Sequence, residues 1–141
     1  MALKLTLSPN EKLVINGAMI QNGDRRSTLV IQNKAAILRE KDIMLPDQAN
    51  TPMRRVYFAI MMMYLDEKGQ KELHDDFFQR ITEFMNAIQN PDALGYCAKI
   101  IQLVHAKEYY KGLLTCKKLY EFEEARLNYV PPELPASTER N

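Results

Sequence analysis

The sequence has few of the residues on which several functional classes depend. Two cysteines in 141 residues are too few for a small secreted domain held together by disulfides. Five glycines, spread along the chain, form neither a P-loop nor a GxGxxG phosphate loop. The 19 basic and 18 acidic side chains leave a net charge of +1, which excludes a histone-like polycation. The longest apolar run, Val56 to Leu65, is about half as long as a bilayer-spanning helix.

These absences favour a soluble cytoplasmic protein that needs no cofactor. Residues 1–10 lack the long apolar run of a signal peptide, so we expect no export and no membrane partner. Hydrophobic residues make up 46% of the chain and charged residues 26%, which is typical of globular proteins. The length predicts one domain or two small, tightly packed modules.

The sequence shows no catalytic or metal-binding group, and we therefore expect no enzyme. His74 and His105 are far apart, without the spacing of a metal-binding helix. Cys97 and Cys116 form no CxxC pair and fall on predicted inner helix faces, so buried, inert thiols are expected. Asp75 and Asp76 are consecutive residues of a predicted helix, where neighbouring side chains point apart. This predicts a solvated helix face rather than a catalytic carboxylate pair.

The first fifty residues have the pattern of short β-strands. Leu3, Leu5 and Leu7 alternate with polar residues, which places three leucines on one face of a strand. Further predicted strands are Lys12–Ile15, Ala18–Gln21, Ser27–Gln32 and Ala36–Arg39, and the turn signals between strands are Ser8-Pro9-Asn10, Asn16-Gly17 and Asn22-Gly23. These strands predict a small antiparallel sheet. Its edges must be covered, and a homodimer is one way to cover them.

The next eighty residues have the pattern of helices. Thr51-Pro52 and Asn90-Pro91 are helix starts, each with a capping residue before a proline. Apolar residues then recur at helical spacing in four stretches, which are Met53 to Leu65, Leu73 to Ile88, Leu94–Cys97–Ile101–Val104 and Leu113–Cys116–Leu119–Tyr120. Gly112 either kinks the last two stretches or lies within one long helix.

The predicted fold class is α+β, with a small N-terminal antiparallel β-sheet followed by a C-terminal bundle of three to four α-helices. We divide the chain into a β-rich module at residues 1–50, a helical module at 51–130 and a disordered tail at 131–141. The tail is predicted from its prolines among Ser, Thr and Glu.

Several segments resemble the FlbT family of flagellin-expression regulators. They are Gln21-Asn-Gly-Asp-Arg-Arg26, Val30-Ile-Gln-Asn-Lys34, Ile37-Leu-Arg-Glu-Lys-Asp-Ile-Met44, Ala59-Ile-Met-Met-Met-Tyr64 and Lys107-Glu-Tyr-Tyr-Lys111. The resemblance runs from about residue 2 to about residue 129. It implies a regulator that binds the 5′ untranslated region of flagellin messenger RNA and represses translation or promotes decay, although some members activate flagellar synthesis. It also implies a small partner protein, FlaF.

If the chain binds RNA, its contacts must form a local patch, because the net charge supplies no long-range field. The candidate contacts in the β-rich module are Arg25, Arg26, Lys34, Arg39 and Lys41. The alternative is that these are ordinary solvated charges at turns and strand ends. The β half is also similar to CsrA-type messenger-binding regulators, in which an arginine before an acidic residue contacts RNA. Arg39-Glu40 matches that feature, whereas the first strand has Lys4 and Thr6 where arginines are expected.

The competing hypothesis is a protein-interaction module that binds flagellin or FlaF through its helices. The candidate contacts are Met62, Met63, Tyr109 and Tyr110. Thioethers repack around varied partners, and tyrosines flanked by lysines suit a protein interface. The alternative is that the methionines fill the core and that one of the two tyrosines faces inward.

Overall fold

The computed structural model describes residues 2–66 and 68–128, and these residues confirm the α+β class. The strands are β1 (Leu3–Leu7), β2 (Lys12–Ile15), β3 (Ala18–Gln21), β4 (Ser27–Ile31) and β5 (Ile37–Arg39). Two short 3-10 helices follow, at Glu40–Asp42 and Pro46–Gln48. The helices are α1 (Pro52–Leu65), α2 (Gln70–Ile88), α3 (Pro91–His105) and α4 (Tyr109–Asn128). The predicted tail lies outside the described residues.

The five strands form two antiparallel sheets rather than one. β1 pairs with β4 in a two-stranded ribbon, and the other sheet has the order β3-β2-β5. The ribbon places Leu5, Leu7 and Leu29 against Leu13 of β2, so the two sheets enclose a small core of their own. Because Leu5 and Leu7 of β1 need an apolar cover and the other face of the three-stranded sheet is taken by helices, the ribbon stacks on that sheet instead of extending it. Leu3, the third leucine predicted for this face, lies at the end of the ribbon and is 49% exposed.

The three-stranded sheet also packs against the helices through its second face. Val14 of β2 and Leu38 of β5 are buried in the main core together with residues of all four helices. The Tyr64 hydroxyl of α1 accepts a hydrogen bond from the Ile37 N–H at 3.0 Å and is 3.2 Å from the Ile37 carbonyl. The strands and the helices are therefore joined by apolar packing and by a side-chain bond to the edge of β5.

Helix α1 lies at the centre of the helical half, packed against α2 and α4. Thr51 caps its first turn as predicted, accepting a bond from the Arg54 N–H. Asn90 caps α3 in the same way, with its side chain accepting from the N–H groups of Asp92 and Ala93. The buried face of α3 is Ala93, Cys97, Ile100 and Val104, so the predicted Leu94 and Ile101 lie beside that face, half-buried.

The break between α3 and α4 precedes Gly112, so both predicted alternatives for this glycine are wrong. The chain turns at Lys107, whose φ of 61° is left-handed, and the Glu108 N–H donates to the Leu103 carbonyl. Helix α3 thus ends in a common C-terminal cap, in which Lys107 occupies the left-handed position that is usually taken by glycine. Gly112 lies inside α4 beside Ile60 and Val104, where a Cβ would make only ordinary van der Waals contacts.

Candidate nucleic-acid interface

Arg25 and Arg26 lie in the loop between β3 and β4, here called the arginine loop (residues 22–27). The side chain of Asn22 holds this loop in place, because its Nδ2 donates to the Ser8 carbonyl at 2.8 Å and to the Arg25 carbonyl at 2.9 Å. Its Oδ1 accepts from the Ser27 hydroxyl at 2.7 Å. Both arginine side chains are exposed. The loop therefore presents two guanidinium groups to solvent on a backbone tied to the neighbouring turn.

Arg39 is engaged within the fold. Its guanidinium forms an ion pair with Glu11 at 3.0 Å and donates to the Thr6 carbonyl. A hydrogen bond from the Ser8 N–H, and then the Arg39 guanidinium, lower the pKa of Glu11 below its ordinary value. Arg39 thus links β5 to the ends of β1 and β2, and its guanidinium already has partners within the fold.

Lys34 lies at the other end of the ribbon from the arginine loop. Leu7 pairs with Ser27 at one end, next to Arg26, and Leu3 pairs with Ile31 at the other, before Lys34. A strand advances about 3.3 Å per residue, so the two ends are roughly 13 Å apart. Lys34 instead borders an open groove of about 340 Å³ beside Leu3. The structure does not bring Lys34 together with Arg25 and Arg26.

Lys41 borders a second pocket, here called the Lys41 pocket, of about 190 Å³. Arg54 of α1 and Lys117 of α4 line the same pocket. No pattern in the sequence predicts Arg54 as a contact or a joint site with Lys117, because the three cations come from segments far apart in the chain. The Arg54-Arg55 doublet in the first turn of a predicted helix was the available signal.

The four predicted partner contacts fall into different environments. Met63 is only 1% exposed and belongs to the core, so its prediction as a partner contact is wrong. The reason is that α2, α4 and the three-stranded sheet surround α1. Met62 is half-buried, and the Tyr109 hydroxyl is 2.6 Å from Gln70 Oε1. Only Tyr110 is exposed, at 39%, and Leu114, one turn further along α4, is exposed at 42%.

Both cysteines lie in the main core. Cys97 and Cys116 are buried, as predicted, and burial raises the pKa of Cys97 to about 11. Burial also raises the pKa of Cys116. Within residues 2–66 and 68–128, no three His, Cys, Asp or Glu side chains are grouped as metal ligands would be. No helix in the described ranges is long and apolar enough to cross a bilayer.

The chain is similar to proteins of flagellar biosynthesis. The family described as flagellar protein FlbT matches residues 3–127. The flagellum biosynthesis repressor protein FlbT of Caulobacter vibrioides (strain ATCC 19089 / CIP 103742 / CB 15) is 55% identical over 130 residues, which cover 92% of each chain. The probable repressor FlbT of Caulobacter sp. (strain K31) is also 55% identical, over 92% of this chain and 99% of its own length. The probable repressor FlbT 1 of Bradyrhizobium diazoefficiens is 33% identical, over 88% and 84%.

No solved structure matches the chain. The family match, however, covers both the strands and the helices, from β1 to the last turns of α4. The chain therefore belongs to the FlbT family.

Proposed function

We propose that this protein represses flagellum biosynthesis by binding the 5′ untranslated region of flagellin messenger RNA and controlling its translation or decay. Relatives that share 55% of their residues with it over most of the chain are named flagellum biosynthesis repressors, which supports a regulatory role in flagellar synthesis. The observation that supports RNA contact is the exposed arginine pair on a loop that Asn22 holds in place.

The exposed guanidinium groups and the ordered backbone of the arginine loop suit the binding of an unpaired segment of RNA. Guanidinium groups bind phosphate oxygens through two parallel bonds and stack on exposed bases. Asn22 orders the loop backbone before binding, so less conformational entropy is lost when RNA binds. Since the net charge is +1, long-range attraction is weak and only a few phosphates are engaged.

The test is binding of the full chain to flagellin leader RNA over a series of salt concentrations. The double variant Arg25→Ala/Arg26→Ala is expected to bind about a hundredfold more weakly, because each lost bond to a charged group contributes about 1.5 kcal/mol or more. The slope of log affinity against log salt should fall in magnitude by about 1.4, at about 0.7 for each lost contact to a single strand.

The matched control is Arg55→Ala/Arg126→Ala, which removes the same charge from exposed arginines of α1 and α4. This control should bind RNA like the unchanged protein, and both double variants should keep their thermal midpoints. Equal binding by the two double variants would exclude the arginine loop as the contact. Absence of binding by the unchanged protein would exclude the RNA mechanism.

A second candidate function is supported by Tyr110 and Leu114, which form a small exposed apolar stripe on α4. Such a stripe fits a protein partner, and FlaF and flagellin are the candidates. Capture of FlaF or flagellin that survives the change of Arg25 and Arg26, yet is lost with Tyr110→Ala, would favour regulation through protein contact.

A further inference from the structure

The Lys41 pocket lies where the 3-10 helix Glu40–Asp42 meets α1 and α4. Lys41, Arg54 and Lys117 contribute three positive charges to its lining, and Asp42 contributes one negative charge. The pocket therefore carries an excess positive charge on a protein whose net charge is only +1. Neither Arg25 nor Arg26 belongs to this concentration of cations.

Asp42 neutralises one of the three cations, Lys117. Its carboxylate is only 4% exposed and forms an ion pair with the Lys117 ammonium. The Tyr57 hydroxyl donates to the Asp42 carbonyl at 2.6 Å, which fixes the 3-10 helix against α1. Among the described residues, neither Lys41 nor Arg54 takes part in an ion pair. These two charges are left to attract an anion.

Arg54 is held in position by an aromatic ring. Its guanidinium carbon lies 5.2 Å from the centre of the Tyr120 ring, within the range of a cation–π contact. Tyrosine hydroxyls are neutral near pH 7, and burial raises the pKa of Tyr57 and Tyr120 further, so neither adds negative charge to the pocket. A guanidinium that lies over a ring keeps the N–H groups of its edge available for a phosphate.

The pocket and the arginine loop adjoin the same part of the β half. Residues 22–27 are bonded to the turn that begins at Ser8, whose N–H is bonded to Glu11. Glu11 is paired with Arg39, and Lys41 follows Arg39 by two residues. The arginine loop and the Lys41 pocket are therefore linked through a short series of contacts within the β half.

We propose that the Lys41 pocket binds a phosphate group of the RNA backbone through Lys41 and Arg54, as a second contact beside the arginine loop. This inference rests on the proposed function, because it takes the same RNA as the ligand. It assigns a role to a residue of the helical half, so the RNA contacts extend beyond the β-rich module.

The experiment compares neighbouring arginines of one helix. Arg54→Gln and Lys41→Gln are each expected to weaken binding of flagellin leader RNA by about tenfold and to lower the salt slope by about 0.7. The matched controls are Arg55→Gln on α1 and Lys71→Gln on α2, which remove equal charge from exposed positions outside the pocket and should leave both quantities unchanged. Lys41 is exposed, so its variant remains informative if Arg54→Gln weakens the fold.

Amide chemical shifts of Ile43 and Met44, which line the pocket, provide a second measurement during titration with the RNA or with inorganic phosphate alone. Shifts with RNA, lost in Arg54→Gln and kept in Arg55→Gln, would support the proposal. Shifts with inorganic phosphate but unchanged RNA affinity of Arg54→Gln would overturn it in favour of a free-phosphate site.

The remaining outcomes separate this proposal from the proposed function. If only the Arg25/Arg26 variant weakens RNA binding, the Lys41 pocket is excluded and the RNA mechanism stands. If only the Lys41 and Arg54 variants do, the pocket is supported and the arginine loop is excluded. If the unchanged protein binds no leader RNA, both proposals are overturned.

Discussion

At the scale of single residues, two polar side chains of the β half determine which arginines are exposed to solvent and which are paired within the fold. Asn22 ties the backbone of the arginine loop to the Ser8 carbonyl and leaves Arg25 and Arg26 exposed. Glu11 has the opposite effect on Arg39, because it pairs with the guanidinium and draws it into the fold. Arginines at positions that look alike in the sequence therefore differ in availability. Arg39 has a carboxylate partner, Glu11, whereas Arg25 and Arg26 are exposed to solvent.

The Glu11 carboxylate predicts a pH dependence of stability. Its folded-state pKa is lowered, first by the Ser8 N–H and then by Arg39, below the ordinary value of 4.5. The stabilisation is thus fully present above about pH 4.5 and is lost as the pH falls through the lower folded-state pKa. Glu11→Gln should be less stable than the unchanged protein at neutral pH and should lose less stability on acidification. Urea unfolding at several pH values measures this.

The control for this prediction is Glu121→Gln, which changes an exposed carboxylate on α4. It should leave the unfolding midpoint nearly unchanged near neutral pH. A constant difference between Glu11→Gln and the unchanged protein from neutral to acidic pH would contradict the assigned role of Glu11.

At the scale of elements, the start of α1 is held by a residue of α4. The buried Glu123 carboxylate lies 2.6 Å from both the Thr51 hydroxyl and the Met53 N–H. Both groups donate, so one side chain satisfies a free N–H of the first turn and orients the capping threonine. The bond spans 70 residues of sequence and joins the first helix to the last.

Removal of this cap should destabilise the whole fold. Glu123→Ala leaves the Met53 N–H buried without a partner, and we expect a loss of about 2–3 kcal/mol in the free energy of unfolding. Glu123→Gln keeps one acceptor oxygen and should lose about half as much. Urea denaturation followed by circular dichroism measures both values, with Glu124→Ala, an exposed neighbour, as the control. Similar stabilities for all three variants would show that α1 needs no cap from α4.

The elements that could be predicted from sequence are those whose signals are local. The Asn16-Gly17 turn, with left-handed φ values of 50° and 84°, and the Thr51 and Asn90 caps were predicted correctly. The end of α3 was missed because Lys107 takes the left-handed position in which glycine or asparagine is expected. The division into two sheets was missed because it depends on which distant face covers the leucines of β1.

At the scale of the whole molecule, a site could likewise be predicted from sequence only where its residues are close together in the chain. The arginine loop is a continuous segment and could be proposed from sequence alone. The Lys41 pocket requires the 3-10 helix, α1 and α4 to meet, so no spacing along the chain indicates it. The division into modules at residue 50 was likewise drawn from the change in pattern. Whether the two halves unfold separately depends on the contacts between the three-stranded sheet and the helices.

These contacts predict that the two halves unfold together. Leu38 of β5 is fully buried in the same core as Cys97 and Cys116, although it lies in the β half. Leu38→Ala should lower the free energy of unfolding by about 3 kcal/mol. If the fold is one cooperative unit, the buried thiols are exposed only by global unfolding, and a thiol reagent should label them about a hundredfold faster in the variant.

The matched control is Leu114→Ala, which removes the same atoms from an exposed position of α4. Its labelling rate should differ little from that of the unchanged protein, because few contacts are lost there. Circular dichroism and thiol labelling should also report the same loss of stability for Leu38→Ala, since one transition exposes both the strands and the cysteines. Unchanged labelling in Leu38→Ala, together with loss of the strand signal, would instead show that residues 1–50 unfold as a separate module. The boundary at residue 50 would then be a domain boundary as well as a change in composition.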